Sequence, residues 1–522
     1  MKNLSNIEFK NDFVNQFTGD NTGSKKPRQT PGMFYSIATP TPVPKVALLG
    51  WSESLAEELE LKKPVSQKDV DILGGNHITS SMKPYAACYG GHQFGNWAGQ
   101  LGDGRAITLG ELVTSQSKKW ELQLKGPGQT AYSRRADGRA VLRSSVREYL
   151  MSEAMYYLGV PTTRALSLVS TGEPVMRDMF YDGHPAYEPG AIVMRVAPTF
   201  LRFGNFEIFA SRGETGNLRQ LVDWTIEKYF PHIKGEDKIV RWYKEVIDST
   251  AALMVEWLRV GFVHGVMNTD NMSILGLTID YGPYSFVDNY DLTFTPNTTD
   301  LPGRRYAFGR QASVGKWNLG CLGGAILPLL SSKDELVKIL DTYDDTFWTK
   351  YYTMLGNKIG LDSVHSEEDV TLFTELEKML VSVQPDMTIF YQLLISFFPG
   401  IEMNDKEKVV NHFEESFYEG LSTEQADSLY NWLQLYVKRR GRNTVSDEEA
   451  IKKMKATAPR FILRNYLLHE AIEALEKGDD TLFLKLQNAI KEPYSDGFDE
   501  FLKKRPSWAG QKAGCSMLSC SS

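Results

Sequence analysis

The chain contains 522 residues, of which 42% are hydrophobic and 24% are charged, and its formal net charge is −7. This composition indicates an ordinary soluble globular protein with roughly three or four domain-sized units. The negative charge argues against a nucleic-acid-binding protein, and the lack of a secretory-type block or a long apolar run argues against export and membrane insertion. We therefore expect a cytoplasmic monomer with neither nucleic acid nor membrane as a partner.

The cysteines exclude two further classes of protein. Cys88, Cys321, Cys515 and Cys520 are too few and too scattered for a disulfide framework. No C-x-x-C or histidine-rich spacing indicates a zinc site either. The sequence therefore predicts a fold that is stabilised neither by disulfide bonds nor by structural zinc.

The N-terminal part begins with a polar, proline-rich stretch, residues 1–45, which we interpret as an extended arm on the surface. A glycine-dense segment, Tyr89–Arg105, follows and contains Gly102, Gly104 and Arg105. Glycines let backbone amides approach phosphate closely, and the arginine adds a fixed cation. The same Gly-Asp-Gly sequence is also an ordinary hairpin turn, so a phosphate-binding loop and a structural turn both remain open.

A strand and a helix come next, and each carries one charged residue of interest. Residues 120–125 alternate apolar and polar side chains, which predicts a half-buried strand with Lys125 on its polar face. Residues 144–158 have helical spacing and contain Glu148. A strand lysine followed by a helix glutamate is the ion pair of protein kinases in order and spacing. Because Ser145 and Glu148 also fit a capping box, the glutamate has a structural alternative, but we favour the ion pair.

Two arginines follow a second strand. The loop 126–139 is longer and more polar than a structural connection requires, which is typical of functional loops. In the strand 191–196, alternation places Arg195 on the face opposite Ile192, and Arg202 lies seven residues beyond Arg195. Arginines grip phosphate oxygens through two parallel hydrogen bonds, so both are candidate phosphate ligands, with surface arginines on an edge strand as the alternative.

An amphipathic segment, residues 237–262, is followed by a stretch that resembles the catalytic and metal-binding loops of protein kinases. Protein kinases have a catalytic loop H-R-D-x-x-x-x-N and a later D-F-G, whose Asn and second Asp hold magnesium. With His264 aligned to the kinase histidine, Asn271 aligns with the metal-binding asparagine, and Asp280-Tyr281-Gly282 stands in place of D-F-G. Asn271 and Asp280 are therefore predicted to hold Mg²⁺ or Mn²⁺, although a polar turn would show similar residues.

The same loop departs from kinases at one position. Val266 falls where kinases keep the aspartate that accepts the proton of the substrate hydroxyl. The loop can therefore hold a metal but lacks the usual base. A carboxylate reappears at Asp270, beside the predicted metal ligand.

The C-terminal part is mainly helical up to a tail without periodicity. Helical patterns occur at residues 334–355, 367–397, 406–417, 426–438 and 447–476. In the tail, Cys515 and Cys520 lie five residues apart, so we expect both thiols to be exposed and redox-responsive, with an inert disordered end as the alternative.

Taken together, a collinear set of motifs resembles the selenoprotein O family from about residue 30 to the end of the chain. The motifs are Gly102-Asp-Gly-Arg105, Leu124-Lys-Gly126, Asp137 to Glu148, Met194-Arg-Val-Ala197, Arg202-Phe-Gly204, His264 to Asn271 and Asp280-Tyr-Gly-Pro283. The resemblance implies a protein-kinase-like fold that binds ATP in inverted orientation and transfers AMP, rather than phosphate, to Ser, Thr or Tyr hydroxyls of proteins, redox-related proteins among them.

The resemblance also implies roles for single residues. Asp270 would accept the proton, and Asn271 and Asp280 would bind Mg²⁺ or Mn²⁺. The nucleotide would be held by Gly102, Gly104, Arg105, Lys125, Asp137, Gly138, Arg195, Arg202 and Asp280. A site that presents the α-phosphate, not the γ-phosphate, has no need of a base at Val266.

Two positions depart from the family pattern. Cys520 stands where some relatives have selenocysteine, and Pro296 lies in a segment where some bacterial relatives have a cysteine that could join the tail. We therefore do not expect a disulfide between tail and core here. A kinase-type phosphotransferase, a UMP-transferase and a catalytically silent ATP-binding scaffold remain as alternative functions.

The predicted architecture is an α+β, two-lobed, protein-kinase-like fold with an enlarged helical C-terminal region. We divide the chain into an N-terminal arm (1–45), an N-lobe (46–205), a C-lobe (206–400), a helical extension (401–500) and a flexible redox-type tail (501–522).

Overall fold

A computed structural model describes residues 1–179, 182–364, 366–397 and 402–519. The strands are β1 (Gly19–Asp20), β2 (Tyr35–Ile37), β3 (Ala47–Trp51), β4 (Tyr85–Ala87), β5 (His92–Gln93), β6 (Asn96–Trp97), β7 (Ala106–Val113), β8 (Lys119–Lys125), β9 (Ala140–Val141), β10 (Arg164–Arg177), β11 (Ala186–Ala197), β12 (Phe262–Val263) and β13 (Ser285–Phe286). The helices are α1 (Asp12–Gln16), α2 (Glu53–Glu58), α3 (Gln67–Leu73), α4 (Leu142–Tyr157), α5 (Phe203–Ser211), α6 (Thr215–Tyr229), α7 (Lys238–Val260), α8 (Gln311–Ile326), α9 (Lys333–Lys358), α10 (Glu367–Val383), α11 (Met387–Phe397), α12 (Lys406–Asn411), α13 (Thr423–Arg440), α14 (Asp447–Thr457), α15 (Asn465–Glu476) and α16 (Thr481–Ala489).

One large sheet dominates the first 200 residues. Its strand order is β1-β2-β4-β7-β8-β11-β10-β3, with β9 paired to β11. The pairs β7–β8, β8–β11 and β10–β11 are antiparallel, and β1–β2 is parallel. From α5 onward the described residues are mainly helical. The chain is therefore an α+β protein, as the sequence predicts.

Successive side chains of β11 point alternately into two hydrophobic clusters. Ile192 and Met194 belong to the cluster that contains residues of α2 and α3. Ala191 and Val193 belong to the cluster that contains Val146 of α4. Because successive side chains of a strand point to opposite faces, Arg195 shares its face with Ala191 and Val193. The strand thus aims this arginine toward α4.

The N-terminal stretch is not an extended surface arm, contrary to our expectation for residues 1–45. Its strands β1 and β2 form one edge of the large sheet. Phe13 and Phe17 are buried, and their rings contact Trp224 of α6 at 5.7 and 5.2 Å between centroids. Burying such rings stabilises a fold by roughly 2–3 kcal/mol each. This burial explains why a mostly polar stretch packs against the rest of the fold.

Two predicted helical segments are each broken in two. The 367–397 pattern divides into α10 and α11 at Gln384, which has φ of +50° and precedes Pro385. The 447–476 pattern ends as α14 before Pro459 and resumes at α15. Proline lacks the N–H that a helix needs and disfavours helical geometry at the residue before it. No helix among the described residues is long and apolar enough to cross a membrane.

Candidate active site

Charged side chains from β8, α4, β11, the residue before α5 and the segment after α7 converge on one largely buried network. Lys125 Nζ lies 2.6 Å from Glu148 Oε2, so the ion pair expected from strand and helix spacing is present. Arg195 Nη1 lies 3.0 Å from Glu148 Oε1 and also pairs with Asp280 Oδ1. Arg202 Nη1 lies 2.6 Å from Asp280 Oδ2, and Lys125 Nζ lies 3.4 Å from Asp280 Oδ1. The structure therefore brings together five of the predicted residues.

The network fixes the charge of Asp280. Burial alone would raise the pKa of this carboxyl, but Arg202, Arg195 and Lys125 lower it well below its usual range. Burial lowers the pKa of Lys125, while Glu148 and Asp280 act in the opposite direction. Asp280 also has φ of +63°, an uncommon conformation for a residue with a side chain. An ionised carboxylate is thus held in a strained backbone position.

The stability of this network can be tested at Glu148, whose side chain is 3% exposed. We expect Glu148→Gln to lower the free energy of unfolding by about 3–5 kcal/mol, since breaking a buried pair leaves an uncompensated charge. Urea unfolding at 25 °C measures this loss. The matched control is Glu53→Gln, because Glu53 pairs with Lys63 at the surface with both side chains 58% exposed; that pair should contribute only about 0–1 kcal/mol. Equal losses in the two variants would contradict a buried ion pair at Glu148.

The kinase-like loop lies beside this network. His264 is buried, and its Nε2 lies 3.0 Å from the carbonyl oxygen of Ile279, one residue before Asp280. Asn271 Nδ2 donates to the carbonyl oxygen of Val266 at 2.9 Å. Histidine and asparagine thus brace the two loops that carry the predicted metal ligands, and Val266 lines the cleft in front of them.

Asp270 has a different electrostatic environment from Asp280. Its Oδ2 accepts a hydrogen bond from Gln93 Nε2 at 3.1 Å, and its buried Oδ1 has no hydrogen-bond partner among the described residues. Burial raises its pKa to about 6, although Gln93 and Arg202 act to lower it. Two carboxylates in one site with pKa values shifted in opposite directions are typical of a division between proton transfer and charge binding.

A cleft of about 650 Å³ joins these groups to the glycine-rich segment. Predicted residues on its walls are Gly102, Gly104, Arg105, Lys125, Asp137, Gly138, Arg195, Asp270, Asn271 and Asp280. Arg202 lies behind Asp280 and is not among the lining residues. All members of the predicted nucleotide and metal set therefore lie in or directly behind one cleft.

The predicted glycines line the cleft, and close packing around each of them also excludes a side chain. Gly102 has φ of +121°, and a Cβ there would lie 2.5 Å from the Tyr132 ring. A Cβ on Gly104 would lie 2.8 Å from the carbonyl oxygen of Tyr132. Gly138 has φ of +70°, and a Cβ there would overlap the backbone of Gly128. These turns require glycine with or without a phosphate nearby.

Sequence reasoning missed several cleft residues. Arg134, Arg135, Arg139 and Arg177 also line the cleft. Arg177 holds Asp137 through two hydrogen bonds of 2.8 Å, one to each carboxylate oxygen. The adjacent arginines of the polar loop 126–139 could have indicated an anion site from the sequence. Arg177 could not, because it reaches the cleft only through the long β10–β11 hairpin.

The expectation of an exposed tail is wrong for Cys515, which is 1% exposed. The backbone oxygen of Cys515 accepts a hydrogen bond from Asn465 Nδ2 at 3.0 Å, and burial raises the pKa of its thiol to about 11. The tail pairs with the segment after Pro296: Thr298 N donates to the oxygen of Leu518 at 2.8 Å, and Leu518 N donates to the oxygen of Pro296 at 3.1 Å. Up to Ser519, the tail is therefore docked through backbone hydrogen bonds, and Cys515 is a free thiol. Cys520, the other redox candidate, lies outside the described residues.

Comparison with known proteins identifies the family to which this chain belongs. A family model described as protein adenylyltransferase SelO matches residues 24–491. The chain is 59% identical to a protein nucleotidyltransferase YdiU of Cytophaga hutchinsonii, with all of both chains covered. It is 48% identical to proteins of the same name from Nitrosospira multiformis, covering 100% of this chain and 98% of the relative, and from Rhodopirellula baltica, covering 98% and 99%.

These matches define an enzyme class, the nucleotidyltransferases. The chain belongs to the SelO family of protein adenylyltransferases. The family uses ATP as donor and proteins as acceptors. A catalytically silent scaffold, one of the alternatives raised by Val266, is not supported.

Proposed function

We propose that the chain transfers AMP from ATP to Ser, Thr or Tyr hydroxyls of proteins and releases pyrophosphate. The observation that carries this proposal is the buried network in which Lys125, Arg195 and Arg202 surround Asp280. Three fixed cations suit a triphosphate, and the absence of a carboxylate at Val266 disfavours a kinase-type reaction. Redox-related proteins among the substrates remain a prediction.

The cations would hold the phosphates and stabilise the leaving pyrophosphate. Without nucleotide, their charge is balanced by Glu148 and Asp280. A phosphate chain offers further oxygens to the same donors, and Arg195 and Arg202 present planar guanidinium groups suited to them. Because the network is already assembled, little reorganisation is needed when negative charge develops on the leaving group.

Asn271 and Asp280 fit a hard divalent cation. Asn271 uses its Nδ2 to bond Val266, which leaves the amide oxygen as a donor for a metal, and the low pKa of Asp280 keeps its carboxylate ionised. One or two protein oxygens together with phosphates and water are the ligands that Mg²⁺ prefers, and Mn²⁺ accepts the same set. When bound, the cation would neutralise phosphate charge.

Asp270 is the proposed proton acceptor for the substrate hydroxyl. Its pKa of about 6 lies near neutrality, where a general base is most effective, and its free Oδ1 can accept the proton. Arg202 Nη1 donates to the backbone oxygen of Asp270 at 2.7 Å, which ties the base to the phosphate-binding network.

We also propose that the α+β chain is organised as two kinase-like lobes. The strand lysine and helix glutamate of the 46–205 region support this organisation, as do the loops 264–271 and 280–282 that follow α7. The cleft would then lie between residues 46–205 and 206–400, with the helices of 401–500 as an extension.

Labelled ATP tests the reaction. We expect protein to acquire label from ATP labelled at the α-phosphorus and none from ATP labelled at the γ-phosphorus. Label from γ alone would contradict the proposal and indicate a kinase, and stronger labelling from α-labelled UTP than from α-labelled ATP at equal concentration would indicate UMP transfer. Acceptor residues can be located by mass spectrometry.

The pH dependence of AMP transfer should follow the protonation state of the Asp270 carboxyl. Burial raises its pKa to about 6, so below that pH the carboxyl holds a proton and cannot accept another. We expect kcat/KM to rise about tenfold per pH unit below about 6 and to level off above it. Asp270→Asn should lack this acidic limb of the pH profile. Any effect of ATP protonation on kcat/KM should appear in both the unmodified chain and the variant. An identical limb in the two proteins would assign the titration to another group.

A further inference from the structure

A second group of metal-ligating side chains lies outside the cleft. A ring nitrogen of His92, a carboxylate oxygen of Glu207 and the sulfur of Cys321 lie within 4.8 Å of one another. They come from β5, α5 and α8, which are far apart in the chain. Because the three ligands are not neighbours in sequence, spacing motifs give no sign of them.

Glu207 is the strongest indication that this group binds a ligand. Its side chain is 3% exposed, and its Oε1 lies 2.6 Å from His92 Nδ1. Its other oxygen, Oε2, is buried without a hydrogen-bond partner among the described residues. The Thr269 side chain lies close to this carboxyl, but not in hydrogen-bonding geometry with Oε2. A buried carboxylate oxygen without a donor is unfavourable unless a cation or water meets it.

The three ligand types identify the class of cation. Nitrogen, oxygen and sulfur donors together suit a borderline ion such as Zn²⁺, whereas Mg²⁺ prefers oxygen alone. In a tetrahedral zinc site, bonds of about 2.0–2.3 Å place ligand atoms roughly 3.3–3.8 Å apart. Pairs near the 4.8 Å limit would close by up to about 1 Å. The 2.6 Å contact between His92 and Glu207 would open as the ion replaces it, and the His92 side chain, 27% exposed, has room to turn.

The surroundings leave a fourth position open. All three residues lie on the wall of a cavity of about 1260 Å³ that is lined mainly by aromatic and aliphatic side chains. The His92 ring is held between Trp97 and Trp317, at 5.1 and 5.6 Å between centroids. Three protein ligands beside an open cavity are typical of zinc sites that keep one position for water or another small ligand.

We propose that His92, Glu207 and Cys321 form a second metal site, which takes a zinc-type divalent cation with one open coordination position. Such an ion would join β5, α5 and α8. His92 N donates to Thr269 Oγ1 at 2.7 Å, and the neighbouring Gln93 bonds Asp270, so the ion would also brace the loop of the proposed base. The binding itself does not depend on the proposed transfer reaction.

Cobalt absorption tests the site directly, because a thiolate bound to Co²⁺ gives a near-ultraviolet charge-transfer band. The full-length chain is stripped with a chelator and titrated with Co²⁺ alone. We expect the band to saturate at one equivalent and to disappear when Zn²⁺ is added. The conservative variant Cys321→Ser should lose the band, and Zn²⁺ should raise the Tm of the unmodified chain but not of this variant.

Three further variants complete the test. Cys515→Ser/Cys520→Ser, which removes the tail thiols, should keep the band, and so should Asp280→Asn, because the active-site cleft has no cysteine among its lining residues. Glu207→Gln should weaken Co²⁺ binding at least about tenfold. Absence of the band in the unmodified chain, or its persistence in Cys321→Ser, would overturn the proposal; unchanged Co²⁺ affinity in Glu207→Gln would overturn the assignment of Glu207 as a ligand.

Discussion

Replacing Asp280 by alanine should reduce AMP transfer by about 10³-fold or more, because a metal ion contributes several kcal/mol of transition-state stabilisation and Asp280 is the acidic member of its proposed ligand pair. The carboxylate also accepts from Arg195 and Arg202, and these cations would lose their shared partner. Label transferred from α-labelled ATP to protein measures the loss. The dependence of residual activity on Mn²⁺ concentration shows whether metal binding is what failed.

The same substitution should also lower stability, so a control must separate folding from chemistry. Asp386 is a buried aspartate whose Oδ1 lies 2.9 Å from Arg464 Nη2, and it does not line the cleft. We expect Asp386→Asn to lower the Tm but to keep the activity per folded molecule. Asp280→Asn, which preserves shape, should lose activity with a smaller change in Tm than Asp280→Ala. Near-normal turnover in either Asp280 variant would make the metal assignment wrong.

The parts of this site that could be predicted are those encoded in local periodicity. Alternation along β8 and β11 determines which way Lys125 and Arg195 point, and helical spacing places Glu148 on α4. These residues meet because strand and helix geometry convert spacing in sequence into direction in space. The loops after α7 were recognisable because their residue types match those that a hard cation would require.

The parts that could not be predicted depend on contacts between distant segments. Nothing local to Cys515 indicates that Asn465 and the 296–298 segment bury the tail around it. Phe13 and Phe17 look like isolated aromatics in a polar stretch until α6 supplies Trp224. A local pattern describes a segment's own propensity, whereas burial depends on which partner surface the fold brings to it.

The glycines of the cleft show a third situation, in which residues that the sequence suggests for phosphate binding also have a structural role. The glycines at 102, 104 and 138 line the cleft, and each also sits where a Cβ would collide with neighbouring atoms. Sequence alone left a phosphate-binding loop and a structural turn as alternatives. The structure shows that the turns at this wall of the cleft require glycine, and phosphate binding by them stays a prediction.

Asp270→Asn should lower the rate of AMP transfer by roughly 10²- to 10⁴-fold, the usual share of general-base catalysis. Asparagine keeps the size of the side chain and can still bond Gln93, which contacts Asp270 Oδ2 at 3.1 Å. It cannot accept the substrate proton. Because the phosphate-binding cations are not altered, ATP affinity should remain within about threefold, as measured by calorimetry with Mg²⁺ present.

The comparison between kcat and nucleotide affinity decides the role of Asp270, since it adjoins the proposed metal ligand Asn271. If Asp270 is a base, Mn²⁺ at high concentration should not restore the rate of Asp270→Asn. If it is a metal ligand, ATP affinity and metal affinity should fall together and excess Mn²⁺ should recover activity, which would contradict the assignment. Gln93→Ala is the matched control: it removes the hydrogen bond that lowers the pKa of Asp270, so the acidic limb of the pH profile should move to higher pH while the rate at alkaline pH is largely kept.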